Sequence, residues 1–160
     1  MSNQKTPIKL KLENLSKKIF VEYYVPTNRR LGIKVIHISV DSKSFTLKLP
    51  YKRKNTNIGG TVHGSAIMCL AETIHGVSVL WSFDPKQHRM VTRTTEMKFI
   101  NPGRNDLFVK FTLNDITISN IKEKLATRGN MDLVLGSNVT DESGKLIATL
   151  ENCYNLSRKS

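Results

Sequence analysis

One long apolar segment constrains the fold of this chain more than any other feature. From about Gly64 to Phe83 nearly every residue is apolar or small, which predicts a helix that is buried on most of its sides. Shorter segments elsewhere alternate apolar and polar residues, which is the pattern of strands with one buried face. A sheet that covers such a helix has to wrap around it. The 160 residues suffice for one domain with a sizeable core.

Before this segment, the sequence predicts a helix and a hairpin. Residues 8–24 form an amphipathic helix with a lysine-rich outer face, and "PTNRRLG" after it is a loop. The alternation of apolar residues then predicts strands at 33–40 and 45–49, joined by the turn "DSKS". The helical spacing rests on Ile8, Leu12, Leu15, Ile19 and Tyr23, and the strands on Ile36, Ile38 and Val40 and on Phe45, Leu47 and Leu49.

Three or four further strands follow the central helix, with a possible short helix near Ile121–Leu125. The order of elements therefore favours an α+β chain in which a curved antiparallel sheet wraps around one central helix, with an extra helix at the N-terminus. This is the hot-dog fold in outline. We expect an N-terminal helix and loop over residues 1–30, the hot-dog domain over 31–156, and a tail over 157–160.

The net charge of +12 lies mostly in the first third of the chain. Residues 1–54 hold 13 Lys and Arg and three acids, so 13 − 3 = +10, which leaves +2 for the rest. Such a surface attracts nucleic acid, an anionic membrane surface or a phosphate-bearing cofactor, or it is a solvated face. Without an aromatic stacking motif we expect no nucleic acid partner. We also expect a cytoplasmic protein without a membrane span or a disulfide framework.

Glu72 is the one acid on the predicted central helix, and Met68 and Cys69 lie one turn before it. A carboxylate among apolar groups needs a partner or a wet cleft, and it is a candidate general base. A structural interpretation stays open, in which Glu72 pairs with His75 on the next turn or lies on an exposed stripe.

His63 and Gly64 stand where the central helix begins. The first N–H groups of a helix lack internal partners and carry the positive end of the helix dipole, so they can stabilise an oxyanion. Gly64 lets a ligand approach this backbone, or it only lets another segment pass. For His63 we favour capping or packing over proton transfer. A metal set of His63, Glu72 and His75 is not expected, because nine residues separate His63 from Glu72.

The stretch "NIGGTVHGSAIMCLAET" resembles the signature of the hot-dog thioesterases of the phenylacetate-pathway type. That signature is Asn-x5-His-Gly-Gly, with an Asp or Glu eight residues after the first glycine. Asn57, His63, Gly64 and Glu72 stand at this spacing, and Ser65 replaces the second glycine.

The resemblance covers residues 30–156. "TTEMKFINPGRNDL" is similar to the strand and turn that follow the central helix in that family, and "VTDESGKLIATLENCYNL" is similar to its closing hairpin. "LGIKVIHISVDSKSFTLKLPYKRKNTN" is similar to an uncharacterised, thioesterase-like hot-dog branch.

The resemblance implies hydrolysis of an acyl-CoA thioester to the free acid and CoA, with CoA as part of the substrate and no cofactor required. It implies that the N–H of Gly64 polarises the thioester carbonyl. It also implies that Glu72 activates water or attacks the carbonyl, and that Asn57 orients the water or the acid. His63 belongs to the same motif, and Thr92 on the next strand is the candidate for an assisting hydroxyl.

Helix geometry separates the two main groups of this motif. Eight residues lie between Gly64 and Glu72, roughly 12 Å at about 1.5 Å per residue. One carbonyl carbon cannot contact both, so we expect the two groups to come from different subunits of a homodimer or a dimer of dimers. The resemblance implies the same arrangement.

The phosphates of CoA need cationic partners. Our candidates are Lys52, Arg53, Lys54, Arg93 and Arg104. Two alternatives stay open: an acyl-CoA-binding protein without catalysis, and a hydratase of acyl-CoA or acyl-carrier protein, although the motifs of the hydratases are missing from this sequence.

Overall fold

The computed structural model describes residues 7–159, which form a six-stranded antiparallel sheet around one long helix. The helices are α1 (Pro7–Ile19), α2 (Pro26–Leu31), α3 (Gly64–Ser82) and α4 (Asp115–Arg128), and the strands are β1 (Lys34–Ile38), β2 (Ser44–Leu49), β3 (His88–Phe99), β4 (Leu107–Thr112), β5 (Asn130–Asp141) and β6 (Leu146–Arg158). The strand order is β1-β2-β4-β5-β6-β3. The predicted hot-dog architecture is confirmed.

The central helix α3 contacts β2 and β4 as well as β5, β6 and β3, so the sheet curves around it. Leu70, Ala71 and Ile74 on α3 are fully buried, and the alternation predicted for β2 is confirmed because Phe45 and Leu47 are fully buried too. By length and composition, α3 is the one helix in the described range that could cross a bilayer, and half of it is buried within the domain.

In the first strand, the side chains that face the core are not the ones that the apolar alternation predicts. Val35 is buried, whereas Ile36 and Val40 are exposed. The pairing register between β1 and β2 shifts between Val35 and His37. An irregularity of this kind changes the phase of the side chains along a strand, so alternation read from the sequence predicts the wrong face.

The N-terminal region contains more helix than predicted. After α1 the chain makes a π-helical turn over Phe20–Tyr24, and the predicted loop "PTNRRLG" is largely the short helix α2. Pro26 ends the first helical segment and also begins α2, because a proline in the first helical turn loses no hydrogen bond. Gly32 closes α2 in the left-handed conformation, with φ of 74°.

The orientation of α1 is also opposite to the expectation. The five apolar residues that were predicted to face the core are exposed: Ile8, Leu12, Leu15, Ile19 and Tyr23.

Two buried polar residues hold the N-terminal region against the domain. The Glu22 carboxylate accepts hydrogen bonds from the Lys34 Nζ at 2.8 Å and from the backbone N–H of Val35 at 2.9 Å. The Asn28 amide donates to the Val21 carbonyl at 3.1 Å, and its Oδ1 accepts from the Thr73 hydroxyl on α3 at 3.0 Å. The segment that contains the π-helical turn and α2 is therefore fixed to both β1 and α3.

The helix α4 is longer than the short helix predicted near Ile121–Leu125. Asn114 caps its N-terminus by accepting from the Thr117 N–H at 2.8 Å. Ile118, Ile121 and Leu125 form its buried face. The polar residues between them form the solvent face of the helix. The sequence analysis had interpreted this polar segment mostly as a connection between strands.

Candidate active site

The first turn of α3 opens onto a pocket of about 490 Å³. His63 caps the helix, because its Nδ1 accepts from the Ser65 N–H at 3.2 Å and its carbonyl accepts from the Ala66 N–H at 2.9 Å. None of the described hydrogen bonds uses the N–H of Gly64. The pocket is lined by Asn57, Thr61, Val62, Gly64, Ile67, Phe99, Ile100, Asn101, Pro102 and Gly103. An unpaired N–H at a helix N-terminus suits an anionic oxygen in this pocket.

Close packing explains why position 64 is a glycine. A Cβ at Gly64 would lie 2.9 Å from Cζ of Phe99, which is closer than carbon atoms approach without displacement. Phe99 is the last residue of β3, and its ring lies over the start of α3. A side chain at position 64 would therefore have to displace this ring.

Asn57 organises the loop beside this pocket. Its Oδ1 accepts from the N–H groups of Gly59 at 2.9 Å and Thr61 at 3.2 Å, and its amide donates to the Thr61 hydroxyl at 2.8 Å. This is the Asx-type use of an asparagine side chain. Asn57 also lines the pocket. Its side chain holds the loop in shape, and its role in orienting water stays a prediction.

Glu72 lies in the middle of α3 but on its exposed side. Its Oε1 accepts a hydrogen bond of 3.0 Å from the hydroxyl of Thr92 on β3. The two residues predicted to act together are therefore in contact. The alternative pairing of Glu72 with His75 does not occur, since His75 is fully buried and its Nδ1 bonds instead to the Tyr154 hydroxyl.

Gly64 and Glu72 lie at separate places on one chain. Glu72 does not line the pocket at the start of α3, and eight residues of helix separate the two groups, about 12 Å. Beside Glu72, β3 is the last strand of the sheet and, within residues 7–159, pairs only with β6. Residues 91–96 of β3 are exposed on both faces of the strand. The Glu72–Thr92 pair thus lies next to an open strand edge.

The five candidate cations have different surroundings. Arg104 directly follows pocket residue Gly103, and its guanidinium lies 3.9 Å from the position that a Cβ on Gly60 would occupy. Lys52 lies near Asp106, whose pKa it helps to lower. Lys54 donates to the carbonyl of Arg30 on the other side of the loop.

Arg53 and Arg93 are both exposed. The register of β3 on β6 shifts between Thr92 and Thr94, so Arg93 is an extra residue opposite the Tyr154–Cys153 step. Simple alternation, which would turn Arg93 to the face opposite Thr92, does not hold at such a bulge.

A buried polar group beside Glu72 was not predicted. Tyr154, the cross-strand partner of Thr92, shares a hydrogen bond of 3.2 Å between its hydroxyl and His75 Nδ1, and its hydroxyl accepts from the Asn152 amide. Burial raises the pKa of Tyr154 to about 12. Burial also lowers the pKa of His75 to about 4, although the nearby carbonyl of Gly136 opposes this shift. Both groups are therefore neutral at pH 7.

Sequence spacing alone could have suggested part of this group, since His75 lies one turn after Glu72. Its partner Tyr154, and Asn152, which donates to Tyr154, are about eighty residues away, and the fold of the sheet brings them to His75. Cys69 is not a nucleophile candidate here, because burial raises the pKa of its thiol.

The fold and the geometry around α3 define a hot-dog protein. Residues 15–154 match the family described as Domain of unknown function (DUF4442), and the chain belongs to this family. No curated protein matches the chain.

Solved structures share the fold over nearly the whole chain. One is PA5026 from Pseudomonas aeruginosa, a protein of unknown function described as a probable thioesterase, with 23% identity, a TM-score of 0.85, and coverage of 91% of this chain and 96% of that one. Another is OLEI01261 from Chlorobaculum tepidum, of unknown function, with 14% identity, a TM-score of 0.77, and coverage of 93% and 96%. A third is the thioesterase HI1161 from Haemophilus influenzae, with 18% identity, a TM-score of 0.66, and coverage of 92% and 90%.

Proposed function

We propose that this protein is a thioesterase that hydrolyses an acyl-CoA to the free acid and CoA. The observation that carries the proposal is the exposed Glu72 carboxylate in the middle of the core helix, hydrogen-bonded at 3.0 Å to Thr92. The Thr92 hydroxyl holds this carboxylate in one orientation beside the open edge of β3, which an acid on an ordinary solvent-exposed stripe would not require. The neighbouring structures named as thioesterases share the same fold, which supports the choice of reaction.

The pocket at the start of α3 supplies the other half of the site. In the proposed reaction, the thioester carbonyl oxygen accepts a hydrogen bond from the N–H of Gly64, where the helix dipole stabilises the charge that develops on it. Glu72 removes a proton from water as the water attacks the carbonyl carbon, or it attacks that carbon itself to give a mixed anhydride, which water then hydrolyses to the free acid and the regenerated carboxylate. The C–S bond then breaks, and the CoA thiolate takes up a proton.

Two subunits complete one site in this proposal. The roughly 12 Å between Gly64 and Glu72 is too long for one carbonyl to reach both groups. Pairing of β3 with β3 of a second copy would use the open strand edge and bring the Glu72 of one subunit toward the pocket of the other. The assembly is a homodimer or a dimer of such dimers.

The basic residues contribute to CoA affinity in this proposal, and Arg104 is the one that directly follows a residue of the pocket, Gly103. Charge pairs between phosphates and exposed cations weaken with salt. CoA affinity should therefore fall as salt rises and fall further in Arg104→Gln. An affinity that is independent of salt would restrict these residues to a solvated face.

Release of free thiol from a panel of acyl-CoA esters, from acetyl to palmitoyl and aryl esters, tests the activity. Glu72→Gln keeps the shape but removes the proton acceptor, so turnover should fall about 10²-fold or more while acyl-CoA binding persists. Glu123→Gln on the exposed face of α4 is the matched control and should leave turnover unchanged. If the natural chain binds acyl-CoA but releases no thiol, it is a binding protein. This alternative is motivated by Ser65, which stands where the motif has its second glycine.

A mixing experiment tests whether the site is shared between subunits. Gly64→Pro removes the N–H at a position where helices tolerate proline, and its Cβ also displaces the Phe99 ring, so Gly64→Ala, which keeps the N–H, is the matched control. Heterodimers of Gly64→Pro with Glu72→Gln retain one intact pair of groups if each site spans two chains, so activity should partly return on mixing. No recovery in confirmed mixed dimers of folded subunits would rule out the shared site.

A further inference from the structure

An apolar stripe on α1 faces away from the domain. The stripe consists of Ile8, Leu12, Leu15 and Ile19, whose exposed fractions are 73%, 62%, 52% and 41%. At 100° per residue these four side chains fall within a sector of about 60° on one side of the helix. Single exposed apolar residues are ordinary on a protein surface, whereas an aligned row of four large aliphatic side chains indicates a binding surface.

The opposite side of α1 is the one that packs against the domain. Leu10, Asn14 and Lys17 are half-buried there, and the following Val21 is buried. Lys17 donates to the Ser42 hydroxyl, and its Nζ lies 5.7 Å from the centre of the Trp81 ring. These contacts hold α1 in place with its apolar stripe outward.

Lysines border the stripe on both sides. On the helical wheel, Lys9 falls about 100° to one side of Ile8, and Lys11 and Lys18 fall about 60° and 80° to the other. All three are exposed, although Lys18 Nζ also lies 3.9 Å from the Glu22 carboxylate, so Lys9 and Lys11 are the lysines on which the argument rests. The one acid of α1, Glu13, is half-buried on the inward side. Long lysine side chains at the borders of an apolar stripe can extend to anionic groups while their stems lie along the apolar layer.

We infer that α1 binds an anionic phospholipid surface, with the stripe inserted at the boundary between headgroups and acyl chains and the bordering lysines on lipid phosphates. A basic amphipathic helix of this geometry lies in the plane of a membrane surface without crossing it. The first 54 residues carry a net charge of +10, which favours a negative surface over a zwitterionic one. This inference does not depend on the proposed thioesterase activity.

Charge argues against a second copy of the chain as the occupant. A two-fold contact between stripes would bring Lys9, Lys11 and Lys18 of both copies together, and like charges across an interface are unfavourable. β1 and β3 are the two end strands of the sheet, and α1 packs against β1. A dimer that forms through β3 would therefore leave the stripe uncovered.

The region after α1 extends the same chemistry. Tyr23 and Tyr24 are exposed at 54% and 74%. A groove of about 790 Å³ follows, and it is lined by Tyr23, Tyr24, Pro26, Arg29, Arg30 and Lys54. Tyrosine suits the interfacial layer of a membrane because its ring is apolar and its hydroxyl is polar, and the cations suit lipid phosphates.

Co-sedimentation of the full chain with lipid vesicles tests the inference. The vesicles are phosphatidylcholine alone or phosphatidylcholine mixed with phosphatidylserine. We expect binding to the mixed vesicles that decreases with added salt, and little binding to phosphatidylcholine alone. The double variant Leu12→Ser/Leu15→Ser should lose about tenfold or more in apparent affinity, because each leucine loses its apolar transfer to the membrane. Lys9→Gln and Lys11→Gln should each lose about fivefold.

The matched control is Ile116→Ser/Val134→Ser, which removes apolar residues that are 75% and 58% exposed on α4 and β5. It should bind vesicles like the natural chain. Thermal unfolding of every variant confirms that it is folded. Absence of binding to mixed vesicles at low salt overturns the inference, as does equal binding by the stripe variant. If the stripe variant instead changes the mass in sedimentation velocity while no protein binds vesicles, the stripe is a contact between copies.

Discussion

The two amphipathic helices α1 and α3 use their apolar residues in opposite ways. On α3 the apolar residues face the sheet, with Leu70 and Ile74 fully buried, and the one carboxylate is exposed. On α1 the apolar residues face outward, with Leu12 exposed at 62%, and the polar side faces the domain. Helical periodicity therefore identifies a face, but the rest of the fold decides whether that face is covered.

The cause of the difference lies in the sheet. Five of its six strands contact α3, whereas α1 contacts the end strand β1, the π-helical turn over Phe20–Tyr24 and, through Lys17, the ring of Trp81 near the end of α3. A helix enclosed by a sheet has to bury its apolar side, because no solvent reaches it there. A helix attached at the end of a sheet is free to present either side, and buried polar anchors such as Glu22 decide which one.

Truncation of one leucine on each helix should give the largest contrast. Leu70→Ala leaves a cavity under the sheet and should lower the free energy of unfolding by about 2–5 kcal/mol. Leu12→Ala removes an exposed side chain and should change it by less than about 0.5 kcal/mol. Urea denaturation of both variants measures the two values. Comparable losses would mean that Leu12 is covered in solution.

The next test concerns the titratable group on the buried side of α3. The pKa of His75 is lowered by burial from 6.5 to about 4, so the unfolded chain binds a proton that the folded chain excludes. Stability should be constant above about pH 6.5, fall as the pH decreases toward about 4, and level off below that, with a total change of about 3 kcal/mol. Denaturation curves across this pH range measure the effect.

The control for this test is His75→Gln, which keeps a polar side chain but does not titrate. Its stability should show much less dependence on pH between 6.5 and 4. Hydrogen bonds from Ser39 and Ser143 lower the pKa values of Asp41 and Asp141, and these carboxylates are the same in both proteins, so their contribution cancels when the two slopes are compared. If the unfolding free energy of His75→Gln depends on pH as steeply as that of the natural chain, a group other than His75 causes the pH dependence.

Sequence patterns predicted the elements that a single strong period defines. The bounds of α3 and the alternation of β2 were right because each segment has one consistent burial environment. The inward face of β1 was wrong, because a register irregularity after Val35 changes the phase. The orientation of α1 was wrong, because its periodicity gives no information on what lies beside it.

The candidate site shows the same limit. The spacing from Gly64 to Glu72 follows from helix geometry, and the choice of Thr92 as a nearby hydroxyl agrees with its contact to Glu72. The links from His75 to Tyr154 and Asn152 depend on strand pairing between distant segments, which no local pattern contains.

A smaller effect is expected at the anchor of α1. Glu22 is 4% exposed and accepts bonds from Lys34 Nζ and the Val35 N–H. Glu22→Gln removes the charge from these bonds, and hydrogen bonds to charged groups contribute roughly 1.5–3 kcal/mol. The variant should lose stability by up to this amount. It should also be cleaved faster by protease within residues 7–24, while cleavage elsewhere is unchanged; uniform acceleration would contradict a local anchor.

The smallest effect compares two glycines within α3. A Cβ at Gly76 would have no neighbour within 4 Å, and its φ is not positive. Gly76→Ala should therefore stabilise the protein by about 0.5–1 kcal/mol, because alanine loses less backbone entropy in a helix. Gly64→Ala should give no such gain, since its Cβ would lie 2.9 Å from the Phe99 ring and displace it. Thermal unfolding measures both changes. Equal stabilisation at the two positions would show that the Phe99 ring moves without cost, and that close packing at the start of α3 does not require glycine.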